Sequence, residues 1–311
     1  MKKFARIIFK LAVIWLVIVG LILIWSSIFH KNTTKESSEA VDLSNATPPW
    51  QPKQPKVKDQ RIVPLIPSST ELVCAIGAEK FLVAASHYCN YPQEVVNKLP
   101  RIGDQNLNIE QIVALKPTIV LDTNSIHKRY ASLFQKLGLN YVNLDIKSPS
   151  DIPYAASFLA SHLGDASLCN RFVQQWNQEV KKFQVFKPEE KPRVYIEIWD
   201  NPIQACGGKN NIDSILTAAG GINVMSSLDD FPSINSEMLI EANPDIIFLV
   251  YPNPRIEAVC NRPGWNTINA VKNGRIFPIN QDIVVRPSPR NLEAIKEMNR
   301  IINKVVKDEN K

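Results

Sequence analysis

The sequence predicts an α/β protein of two related lobes, each on a parallel, doubly wound sheet, with one long helix between them. Three observations lead there: a duplicated helix–turn–strand pattern, a regular alternation of apolar strands with helices, and one amphipathic stripe in mid-chain. The duplication carries most weight. Residues 107–121 return as 234–248, with Asn, Glu and Pro recurring at 108/235, 110/237 and 117/244, each pair 127 residues apart.

The elements follow in order. Residues 1–30 hold an uncharged, almost wholly apolar run at 11–28, flanked by Lys2, Lys3, Arg6 and Lys10. Its length matches the roughly 17–25 residues that span a bilayer core. A cleavable signal peptide is the competing reading, but its apolar part runs about 7–15 residues and ends in a small-x-small site. The expectation is an uncleaved N-terminal transmembrane helix with the body outside, by the flanking positive charge. Residues 31–60 are polar and then Pro-rich (Pro48, Pro49, Pro52, Pro55), a semi-extended tether.

The first lobe, 61–146, opens with a strand at 61–66. It runs into Pro67-Ser68-Ser69-Thr70-Glu71, where Ser68 and Glu71 read as a capping box for a helix at 72–76. A strand at 81–85 follows, then the first repeat unit, a helix at 130–137 and a strand at 140–144. Within each repeat, Asn108 and Asn235 read as N-caps, with Leu107 and Ile234 stapling to Ile112 and Leu239. Glu110 and Glu237 then fall in the first helical turn, beside the positive end of the dipole.

Residues 147–186 form the connection. Leu168, Phe172, Trp176, Val180 and Phe183, spaced by threes and fours, predict one helix over 165–186, on the order of 30 Å long. The second lobe, 187–311, reads as a strand at 193–199, a loop at 200–211, a helix at 212–219 stopped by Gly220 and Gly221, the second repeat unit, a helix near 265–271, a strand at 275–279 and a C-terminal helix.

At 45% hydrophobic, 311 residues can bury one or two full cores. The net charge of +6 comes partly from the N-terminal and tether lysines, and no Arg/Lys stripe with interleaved aromatics marks a nucleic-acid face. Catalytic signatures are missing one by one. Gly207-Gly208-Lys209-Asn210 lacks the spacing and the Ser/Thr of a phosphate loop, and there is no GxSxG or HExxH. His87, His127 and His162 are scattered and read as structural or surface residues. Five cysteines leave at least one free thiol; Cys206 and Cys260, both expected in second-lobe loops, are the candidate disulfide, and no cluster argues for a metal.

Five segments then occur in the order seen in one family: Pro67-Ser68-Ser69-Thr70-Glu71, 106–117, 219–224, 242–247 and Arg286-Pro287-Ser288-Pro289-Arg290. From 61 to 306 the chain resembles the Fe/B12-type periplasmic-binding domain of ABC-transporter substrate-binding proteins, its cobalamin-binding members in particular. The resemblance implies two Rossmann-like lobes joined by a single backbone helix, a ligand cleft between them and no catalysis. It implies that Glu110 and Glu237 dock onto arginines of a permease dimer that works with ATPase subunits. It places Ser68, Ser69, Tyr88, Asp104, Gln105, Trp199, Asn201, Phe231, Asp282 and Arg286 in the cleft, with Tyr88, Trp199 and Phe231 as flat apolar contacts for a large ring. Asp104 and Phe231 stand where Trp is expected, a departure from the family pattern. The implied ligand is a corrinoid, cobalamin, carried as cargo rather than held as a cofactor. A ferric siderophore or haem is the alternative within the class, and an anchored enzyme or sensor on the same fold lies outside it.

Overall fold

The computed structural model describes residues 60–183, 187 and 191–309. The expected membrane helix and tether therefore lie outside the described residues. Among those described, no helix is long and apolar enough to cross a membrane. One compact unit covers Gln54–Lys311 and contains both lobes.

The first lobe is built on three parallel strands, β1 (Ile62–Pro64), β2 (Ile119–Thr123) and β3 (Tyr141–Leu144), in the order β1-β2-β3. Alternate residues enter separate packing layers: Ile62, Leu121 and Val142 on one face, Val63, Val120 and Tyr141 on the other. A sheet covered on both faces requires such continuous apolar strands. Its main helices are α1 (Pro67–Ala75), α2 (Ile109–Ala114) and α3 (Ala131–Lys136), with a single turn at Gln93–Val96. The expected strand at 81–85 is only a 3-10 turn, Glu79–Phe81, followed by single bridges from Leu82 to Ile62 and from Ala85 to Arg101.

The predicted capping box is not formed. Helix α1 begins at Pro67, whose fixed φ and missing N–H suit a first helical position, after an extended Ile66 that offers no side-chain cap. Ser68 thus lies inside the helix, and Glu71 is engaged elsewhere.

The connection is likewise shorter than predicted. Helix α4 (Ile152–His162) packs on the first-lobe core; then a 3-10 turn, Ala166–Cys169, capped by Asp165, leads into α5 (Asn170–Val180). Eleven residues make α5 about 16 Å long, not 30 Å. The apolar stripe still crosses between lobes: Leu168, Phe172 and Trp176 pack on the first-lobe core, whereas Phe183 packs on the second.

The second sheet is mixed rather than wholly parallel. Strands β4 (Arg193–Asp200), β5 (Ile203–Ala205), β6 (Ile222–Asn223), β7 (Ile246–Leu249) and β8 (Ile276–Pro278) run in the order β5-β4-β7-β8, with β6 also on β4. All pairs are parallel except β4–β5, a hairpin inside the segment expected to be a loop. Helices α6 (Asn211–Ala219), α7 (Ser236–Ala242), α8 (Gln281–Val285) and α9 (Asn291–Glu309), with short helical segments at Ile256–Cys260 and Asn269–Lys272, complete the lobe.

The candidate disulfide is also absent. Cys206 is fully buried in the layer that contains Val194 and Phe248, whereas Cys260 packs on the opposite face with Tyr195 and Trp265. All five cysteines are free, and burial pushes the Cys206 thiol up to about 12. Gly207 and Gly208 have a structural reason in place of a phosphate loop: a Cβ on Gly208 would lie 2.1 Å from the Ser226 carbonyl oxygen.

Candidate functional site

In parallel sheets, ligands gather beyond the carboxyl ends of the strands. A cavity of about 570 Å3 lies there between the lobes. Ile66, Pro67 and Ser68 reach it after β1, Ile126, His127 and Arg129 after β2, and Gln281, Asp282, Val285 and Arg286 after β8. Tyr88, Asp104 and Gln105 close the first-lobe side. A larger hollow of about 860 Å3 runs along α4 and α5, but its walls are mostly apolar and it contains no convergent charged cluster. It is flanked by Phe183 and Lys191, on either side of residues outside the described set.

Local chemistry holds each wall in place. Gly103 adopts φ +102°, and a Cβ there would stand 2.3 Å from the Asn106 carbonyl oxygen, so the turn that presents Asp104 and Gln105 needs glycine. Arg129 Nη2 donates to the Gln105 carbonyl and, at 3.1 Å, to Asn106 Oδ1. The Tyr88 loop is held by Arg101, whose Nη1 donates to the carbonyls of Ser86 and Cys89, each at 2.8 Å.

Beneath this wall sits a buried pair. Asp122 Oδ2 accepts from the His127 backbone at 2.8 Å and from Tyr141 Oη at 2.8 Å, and Oδ1 lies 3.5 Å from His127 Nδ1. His127 Nε2 donates to the Asp104 carbonyl at 2.9 Å. Burial pushes Asp122 up, but hydrogen bonds from His127, Tyr141 and Thr123 outweigh it and hold the carboxyl below its ordinary range. Burial pulls His127 down, and the Asp122 carboxylate beside Nδ1, with the Nε2 bond to the Asp104 carbonyl, reverses that, raising the imidazole. His127 is thus structural, as its scattered position suggested, although it also lines the cavity.

Of the ten expected cleft residues, Ser68, Tyr88, Asp104, Gln105, Asp282 and Arg286 line the cavity. Ser69 does not: it is fully buried, its hydroxyl 2.9 Å from Thr123 Oγ1 between α1 and β2. Trp199 and Asn201 sit on the β4–β5 hairpin, with Trp199 Nε1 donating to the Asn201 carbonyl, and Phe231 on a loop beside β5. All three are exposed and outside the cavity lining. Ile126, Arg129, Gln281 and Val285 were missed. Their one sequence signal was position, in the segments that follow β2 and β8.

The cations of the lining differ in kind. Arg286 pairs with Asp282 at 2.8 Å and with Glu71 at 3.3 Å. Arg129 is exposed and has no carboxylate partner among the described residues. Outside the lining, Glu110 and Glu237 are both exposed in the first turns of α2 and α7, whose caps match: Asn108 accepts from Gln111 N and Asn235 from Met238 N, each at 3.0 Å.

Comparison with known proteins gives a consistent picture. The family described as periplasmic binding protein matches residues 62–283. An uncharacterized ABC transporter substrate-binding lipoprotein of Bacillus subtilis is 29% identical over 253 residues, 78% of this chain and 80% of that one. The vitamin B12-binding protein of Vibrio cholerae is 24% identical over 247 residues, 77% of this chain and 87% of that one. Among solved structures, a possible iron-binding periplasmic protein of Staphylococcus epidermidis superposes with TM-score 0.70 at 27% identity, covering 78% of this chain and 98% of that one. The periplasmic heme-binding protein HutB of Vibrio cholerae superposes with TM-score 0.71 at 20% identity, covering 78% and 98%. At that identity the likeness concerns the fold alone.

Proposed function

Because the chain belongs to the periplasmic binding protein family, we propose that it is the extracytoplasmic receptor of an ABC importer, capturing a corrinoid, cobalamin, and delivering it to a permease. The family consists of carriers, and the reading assigns no catalysis to this chain. The observation that carries the ligand choice is the charge state of the cleft: Arg286, its one second-lobe cation, is already paired with Asp282 and Glu71. A polyanionic ferric siderophore needs several free cationic donors. A corrinoid offers a broad ring edged with neutral amides, which suits apolar walls with scattered polar groups. A ligand of that size outgrows the 570 Å3 cavity and spreads onto exposed Tyr88, Val285, Trp199 and Phe231.

Residues 1–30 anchor the receptor in this reading, and 31–60 tether it beside the permease at a high effective concentration. Glu110 and Glu237 are the docking points, one per lobe. Haem is the second reading, favoured by Arg129, a lining cation without a carboxylate partner among the described residues and so open to a propionate.

The test is calorimetric titration of the full-length chain in mild detergent with cyanocobalamin, haemin and a ferric hydroxamate. Sub-micromolar, one-to-one binding of cyanocobalamin is expected. Tight binding of haemin or the ferric chelate without cyanocobalamin overturns the ligand and leaves the carrier role standing.

A further inference from the structure

Two motifs 215 residues apart meet behind the cleft. Glu71, on α1, is 3% exposed, and its carboxylate accepts from Ser288 Oγ at 2.6 Å and from Arg286 Nη1 at 3.3 Å. Arg290 Nη1 lies 3.9 Å away, and its guanidinium also covers the Tyr91 ring at 4.4 Å and faces Glu293 at 3.7 Å. Arg286 lines the cavity, yet both of its terminal nitrogens are already engaged. Besides Glu71, it reaches Asp282 Oδ1 at 2.8 Å, Asn90 Oδ1 at 2.7 Å and the Tyr88 carbonyl at 3.4 Å.

A buried carboxylate is expensive unless paired and hydrogen-bonded. Burial raises the Glu71 carboxyl above its ordinary range, against the pull of Ser288, Arg286 and Arg290. Holding a carboxylate there for interlobe adhesion alone is inefficient, since well-packed apolar residues serve as well. Its charge has a second consequence. The cavity lining contains Asp104 and Asp282 against Arg129 and Arg286, with His127 paired to Asp122. Glu71 adds one negative charge directly behind Arg286.

We propose that Glu71 is a specificity-determining positioning residue: by neutralising Arg286 from behind, it withholds that cation from ligand carboxylates and biases the cleft toward ligands without net negative charge. Glu71 does not line the cavity and acts through Arg286; the inference rests on the reading of this cleft as the ligand site.

The test measures Glu71→Gln in the full-length chain against two matched pairs: cyanocobalamin with its monocarboxylic acid, and haemin with its dimethyl ester. The ratio of carboxylated to neutral affinity should rise about three- to tenfold at low ionic strength and shrink in high salt. Asp282→Asn removes the other counter-charge at a part-exposed position and should move the ratio the same way, which covers the case that Glu71→Gln fails to fold. An equal loss for both members of a pair reduces Glu71 to an interlobe tie and overturns the proposal, as does an unchanged ratio in either variant. Where only the haem pair binds, the cobalamin reading fails while that pair's ratio still decides the role of Glu71. A wild-type chain that binds neither ring system overturns both.

Discussion

Single residues set the chemistry of the first-lobe wall. Asp122 and His127 stabilise each other's charged forms, so their contributions to stability have opposite pH limits. The depressed Asp122 contributes above the ordinary carboxylate pKa, and that contribution is lost as pH falls through its folded value. The raised His127 contributes fully below the ordinary imidazole pKa, about 6.5, and that contribution is lost as pH rises through its folded value. Thermal stability should therefore be highest from about pH 4 to 6.5 and decline as pH rises through the raised folded-state value of His127. In His127→Gln the alkaline decline should flatten; an unchanged slope assigns it to other groups. The pairing was not legible in the sequence, because Asp122 lies inside β2, one residue before its end, and it is the conformation of the short turn after Thr123 that folds His127 back onto it.

At the scale of elements, α2 and α7 are the clearest outcome of the duplicated pattern. Their Asn caps, their Leu107/Ile112 and Ile234/Leu239 apolar contacts and their Pro stops all occur as expected, since capping and stapling are decided within a few residues. Exposed glutamates contribute little to stability, and surface ion pairs act mainly on orientation and association rate. Glu110→Ala and Glu237→Ala should accordingly leave the melting temperature within about 2 °C and ligand affinity unchanged. Stimulation of the partner ATPase should fall by tenfold or more in the double variant, with a salt dependence that weakens. Loss of ligand affinity in these variants would place the glutamates in the cleft and end the docking role. The predicted long helix failed for the complementary reason. An amphipathic stripe reports which residues face a core, and it continues across the 3-10 turn at Ala166–Cys169 without a break in spacing.

At the scale of the molecule, several ties join the lobes. Alongside the Glu71 cluster, Asn90 Nδ2 donates to Asp282 Oδ2 at 2.8 Å, Lys296 pairs with Glu179 at 2.6 Å, and Leu292 of the C-terminal helix packs on the first-lobe core. Closure around a ligand should be small. Small-angle scattering should show a radius of gyration that changes by less than about 1 Å on saturation with ligand. A contraction of several ångströms would mean that these ties open.

Much of this architecture was legible in the chain. Two lobes, alternating strands and helices and matched caps follow from local rules, apolar period and cap chemistry, whereas the six lining residues that were expected came from the family resemblance. Tertiary structure decided the rest, because those features depend on groups far apart in sequence. It made Ser69 an internal hydroxyl, separated Cys206 from Cys260 by the thickness of a sheet, and turned the expected Ser68–Glu71 cap into an interlobe carboxylate. A carboxylate's partner is chosen by distance in space, and 215 residues of intervening chain hide that distance from any local reading.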